Sequence, residues 1–107
     1  MNGIWAVEFT FGDRRGSGVI VVRNDRLGGG DSGFIYSGPL ARTGDRFASR
    51  VFVQNHNPDV DSVFKPLQNF HLLLEGAIQG TTLHATGAME DQPELTIAIT
   101  GTLKAAF

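Results

Sequence analysis

Gly30-Asp31-Ser32-Gly33 spells the tetrapeptide that surrounds the nucleophile of trypsin-like proteases. Serine catalysis needs a general-base histidine oriented by a buried carboxylate, and that fold is two barrels of about twice this length. The tetrapeptide therefore reads as a turn between strands. Ser17, between Gly16 and Gly18, lacks the strand-turn-helix setting of a nucleophile elbow. Gly28-Gly29-Gly30 would hold an anion only if a helix began after it, and a strand is expected there instead. Asp59-Val60-Asp61 opens like a calcium loop, but the glycine at its sixth position and the glutamate at its twelfth are missing.

His56, His71 and His84 are the remaining metal-ligand types. His71 and His84 alternate with the apolar residues of their strands, so each points outward, opposite Leu72 or Leu83. There is no cysteine, which removes disulfides, zinc-thiolate sites and thiol nucleophiles together. No acid-base pair, nucleophile or metal cluster stands out, so no enzyme activity, cofactor or metal is expected. Glu90 and Asp91 with Glu94 lie at a hairpin tip, where acidic groups serve solubility or meet a basic partner.

The 107 residues suit one domain spanning 1–107. With 41% hydrophobic and 19% charged residues the chain can bury a core of its own. The net charge of −2 and the scattered Lys and Arg residues make a poor counterion-release surface, so nucleic-acid binding is not expected. Met1-Asn2-Gly3-Ile4-Trp5 has no basic segment leading into an apolar one, and no stretch approaches a membrane span. A cytoplasmic protein without membrane contact is the expectation.

Apolar residues recur at period two, punctuated by Gly, Asn, Asp and Pro, which predicts an all-β domain. Seven strands are readable: Gly3–Phe11, Gly16–Arg23, Gly33–Leu40, Arg46–Gln54, Asn69–Gln79, Thr81–Met89 and Glu94–Leu103. The second, rich in β-branched residues, suits burial on both sides or tight wrapping at a barrel. Asn24 to Gly30 reads as a loop, and a short helical turn is expected around residues 61–65. An open sandwich would leave edges to protect. The predicted fold is therefore a small antiparallel β-barrel of seven to eight strands. Gly76, Gly87 and Gly101 fall on its apolar face, where they either relieve crowding or leave lumen volume. A small apolar ligand inside would rest against Trp5, Phe9, Phe34, Phe70, Leu72, Leu74 and Ile97.

Gly3-Ile4-Trp5 resembles the Gly-x-Trp signature of lipocalins, whose indole seals one barrel end. Further stretches are Gly16-Ser17-Gly18-Val19-Ile20-Val21-Val22-Arg23-Asn24, Gly29-Gly30-Asp31-Ser32-Gly33-Phe34-Ile35-Tyr36-Ser37-Gly38, and Asn55 to Leu67 with Ser62-Val63-Phe64. In this order, across the first two thirds of the chain, they resemble the GrlR-like family of negative regulators of type III secretion. The resemblance implies a cytoplasmic homodimer of lipocalin-like barrels with an apolar interior, acting by holding a transcriptional activator protein. The family's acidic Glu-Asp-Glu-Asp grip on that activator falls at Arg42-Thr43-Gly44-Asp45, where only Asp45 agrees. A shared scaffold with a different partner is the expectation that follows, with Asp45, Glu90, Asp91 and Glu94 as the partner-facing residues.

Overall fold

The period-two pattern becomes eight strands in the computed structural model, which describes residues 1–64 and 68–107. They are β1 (Gly3–Phe11), β2 (Arg14–Arg23), β3 (Arg26–Gly30), β4 (Phe34–Thr43), β5 (Arg46–Asn55), β6 (Asn69–Gln79), β7 (Thr82–Met89) and β8 (Thr96–Ala106). Each pairs antiparallel with the next, and β8 returns to β1, giving a closed barrel. Closure leaves neither a first nor a last strand as an open edge.

Alternation decides which side chains enter the lumen. Trp5 and Val7, then Phe47, Val51 and Val53, then Phe70, Leu72 and Leu74, and finally Leu83, Ala85 and Met89 are all buried at every second position. Ser49 falls in the same inward series and is buried, with its hydroxyl donating to the Pro39 carbonyl at 2.6 Å. That bond offsets the cost of drying the hydroxyl.

Two expectations are corrected and one alternative is decided. The segment after Asn24 is a strand, not a loop: Asn24 and Asp25 take positive φ of 53° and 62°, the two-residue turn whose twist suits a hairpin, and β3 follows at once. Its triple glycine hid it, because glycine is depleted in strands. The backbones there approach so closely that a Cβ on Gly29 would lie 2.0 Å from the Val19 carbonyl oxygen. Second, of the two settings that suit β2 the barrel wall is the one it takes, since Ile20 and Val22 face inward while Val19 and Val21 are 46% and 36% exposed. Third, no helical turn forms over the described residues 61–64: Asp61 and Ser62 are irregular and Val63-Phe64 make a simple turn, while residue 65 of the expected turn lies outside the described residues. Phe64 is nonetheless buried, stacking edge-on against Phe11 and Phe70 at one end of the barrel.

Candidate functional site

The strands enclose a cavity of about 320 Å³. Phe9, Phe34, Phe70, Leu72, Leu74 and Ile97 line it, together with Val7, Phe47, Val51, Val53, Leu83 and Ala85. Trp5 does not reach the cavity wall. It is 1% exposed on the inner face of β1, near the end where that strand begins, and its indole Nε1 donates to the Met1 carbonyl at 2.9 Å. Gly76, Gly87 and Gly101 do not hold the cavity open, since a Cβ at each would lie within 2.8 Å of Leu, Phe, Ala or backbone atoms that already fill the space.

Polar groups reach the cavity on one side only, and strand length explains why. β3 pairs with β2 only from Val19 onward, so Arg14 to Gly18 pair with β1 alone. Facing this unpaired stretch are the β3–β4 turn, with Asp31 and Ser32, and the segment Val60 to Val63, all of which line the cavity together with Arg15, Gly16 and Ser17. Arg14 bridges the interval, its Nη1 donating to the Ser62 and Val63 carbonyls at 3.2 and 3.3 Å.

Tyr36 is the inward residue of β4 at this mouth, and its hydroxyl donates to Asp31 Oδ2. Asp31 Oδ1 accepts from the Gly33 and Phe34 amides, both at 2.8 Å, which fixes the carboxylate. The two glycines of Gly16-Ser17-Gly18 make room for the rings beneath. A Cβ on Gly16 would sit 2.2 Å from Phe9, and one on Gly18 would sit 2.9 Å from the Tyr36 hydroxyl. Phe9 in turn meets Tyr36 edge to face at 6.3 Å.

Burial first, and then the hydrogen bond and charge of Asp31, push the Tyr36 phenol well above its ordinary value of 10.0. Its stabilising contribution is complete below pH about 10 and is lost at higher pH, because the unfolded chain then releases a proton that the folded chain keeps. Tyr36 is the single tyrosine of the chain, so ultraviolet absorption titration reads it alone. The phenolate band is expected only at a pH where the protein unfolds, and Asp31→Asn is expected to bring ionisation closer to pH 10. A phenol titrating normally in the folded wild type would contradict the buried pair.

The segment from residue 56 to 64 is held over this end of the barrel by Asn55. Its Nδ2 donates to the carbonyls of Gly33, Asn57 and Val60 at 3.1, 3.0 and 3.4 Å. The Asn55 amide itself donates to Asn69 Oδ1 and to the Gln68 carbonyl, each at 3.0 Å. Asn55→Ala removes a donor from three carbonyls, of which Gly33 and Asn57 keep the His56 and Val60 amides, and is expected to cost about 0.5–1.5 kcal/mol in thermal or urea melts. It is also expected to speed proteolysis within 56–64. An unchanged melt and cleavage rate would show that the segment is held by something else.

His56 Nε2 lies 2.9 Å from the Asp31 carbonyl oxygen, a backbone contact and not a bond to Ser32. His71 stacks on Phe52 at 4.9 Å on the outer face, and His84 is exposed on β7. Among the described residues, no three His, Asp or Glu side chains converge in a way that would hold a metal. The expected partner-facing acids are not brought together. Asp45 is in the β4–β5 turn, at the end where β1 begins, whereas Glu90, Asp91 and Glu94 lie between β7 and β8 at the opposite end. Glu90 is engaged by Arg50, whose Nε and Nη2 donate to it at 2.5 and 2.9 Å, and this bond holds its carboxyl below the usual range.

No family model and no curated protein matches this chain. Among the described residues, no helix is long and apolar enough to cross a membrane. The mouth pair Asp31–Tyr36 is what the residue-by-residue reading missed. The clue was available in the period-two phase of Phe34 and Tyr36, which sends a phenol hydroxyl into an apolar lumen, where it must find a partner.

Proposed function

We propose that the barrel is a carrier or sensor of a small apolar molecule held in its interior. The observation that carries this reading is the cavity of about 320 Å³, walled by aliphatic and aromatic side chains and with its polar groups confined to one side. Small-molecule sites typically occupy about 300–1,000 Å³ with the same division of apolar wall and few polar groups. A dry apolar cavity gains from a ligand because its lining otherwise lacks contact partners. The test is titration with an apolar fluorescent dye, read by energy transfer from Trp5, the single tryptophan. Saturable binding near one dye per chain, displaced by apolar competitors, is the expected result; no saturable binding by any apolar class would overturn the reading.

A second reading is a regulatory module that holds a protein, in line with the resemblance to GrlR-like negative regulators of type III secretion. It is favoured by one outer face, where Val19 and Val21 of β2 and Ile35 of β4 are exposed and Gly28 and Gly30 lie between them in register without side chains. A homodimer through this face is expected to appear in light scattering and to dissociate in Val21→Lys. A wild-type monomer at all concentrations would remove the dimer. For a protein partner held by the β7–β8 acids, pull-downs with wild type and with Glu90, Asp91 and Glu94 changed to Lys are expected to differ, and identical recoveries would remove that site.

A further inference from the structure

The Asp31–Tyr36 pair at the mouth of the cavity offers a ligand hydrogen-bond acceptors and no free donor. The Tyr36 hydroxyl proton is committed to Asp31 Oδ2, so the phenol oxygen turns only lone pairs toward the lumen. Asp31 Oδ1 already takes two amide hydrogens, while Oδ2 takes one and keeps capacity for another donor. Both residues line the cavity and both are half-buried, so their electrostatics are weakly screened by solvent.

The described lining also includes Arg15, Asp61 and the hydroxyls of Ser17, Ser32 and Ser62, which can donate as well as accept. Arg15 lines the mouth but is exposed on β2, so solvent screens its charge. Arg14 is turned to the Ser62 and Val63 carbonyls. Asp61 adds a second carboxylate to the lining. The phenol is held in its protonated form throughout the physiological range by burial and by Asp31, so the pair keeps this arrangement of one donated proton and exposed acceptors.

We infer that the cavity selects apolar molecules bearing a hydrogen-bond-donor head, a protonated amine first and an alcohol second, and rejects carboxylates on the same tail, through Asp31 and Tyr36 at its mouth. This rests on the apolar-ligand reading above and specifies the head that the reading leaves open. A cationic head gains a charge-assisted bond to Asp31, an alcohol gains a neutral one to either residue, and a carboxylate meets the like charge of Asp31 with no donor from the pair.

Three ligands with one tail separate the possibilities: decylamine, decanol and decanoate, each below its aggregation concentration, titrated against the full chain by calorimetry and by displacement of the apolar dye. Decylamine is expected to bind about tenfold or more tighter than decanoate, with decanol between them. Asp31→Asn, which retains an acceptor for the Gly33 and Phe34 amides, is expected to erase the preference for the amine over decanol, with folding checked by its melt. Tyr36→Phe keeps the carboxylate and is expected to keep the amine preference while weakening decanol. Equal binding of all three heads by wild type would overturn the head selectivity and leave the apolar cavity standing. Preference for decanoate would overturn it as well. No binding of any of the three, with no dye binding either, would overturn both.

Discussion

Trp5→Ala is expected to lower stability by about 3–5 kcal/mol, the usual cost of removing a fully buried large aromatic side chain. Trp5 is 1% exposed, and its indole also bonds the Met1 carbonyl, so truncation opens a void and leaves that carbonyl without its partner. A domain of this size holds a net stability of about 5–15 kcal/mol. The variant therefore sits near the threshold of folding, with a melting temperature lower by roughly 12–20 °C at roughly 4 °C per kcal/mol. Trp5→Phe keeps most of the apolar volume and is expected to lose much less. Because Trp5 does not line the cavity, the phenylalanine variant should bind apolar ligands within about twofold of wild type, since affinity tracks direct contacts. A fully stable alanine variant would show that the indole does not seal the barrel.

Filling the lumen should separate binding from stability. Val51 is 3% exposed in the middle of β5 and lines the cavity. Val51→Phe places a ring in space that is empty of protein atoms, so apolar dye and decyl ligands are expected to bind about tenfold more weakly or not at all. Stability should change little or rise by about 0.5–2 kcal/mol, as cavity-filling substitutions do. A close-packed lumen would instead charge about 1–3 kcal/mol for the added volume. Loss of stability on that scale, with ligand binding retained in the folded fraction, would place the ligand elsewhere.

The fold was legible where alternation was unbroken. Phe47, Ser49, Val51 and Val53, and likewise Phe70, Leu72 and Leu74, fall on one face by parity alone, and the barrel buries them together. A shift of one residue would expose every one of them, which is why period two is so informative in a half-buried strand. It failed at Gly28-Gly29-Gly30, because a strand without side chains has no parity to read. Glycine there answers to the approach of the Val19 backbone, a neighbour fixed by the register of β2 against β3 and invisible in the local sequence.

The candidate site divides in the same way. Six of the seven residues expected against an apolar ligand line the cavity, since all that was needed was the inward phase of their strands. Trp5 shares that phase yet lies deeper, near one end, and phase alone carries no information about height along the barrel axis. Asp45 and the Glu90, Asp91 and Glu94 group were read as one partner surface, but the up-and-down order of the strands sends their turns to opposite ends.

By itself, then, the order of residues determined an all-β chain whose alternate side chains are sealed from water, because the pleat converts sequence parity into a choice of face. Tertiary structure alone decided that β3 stops short against β2, that a polar mouth forms in the interval, and that Asp31 receives the hydroxyl of Tyr36. Those are consequences of strand length and register around a closed ring. Each depends on where the neighbouring strand ends, a distance that is not written at any one position of the chain.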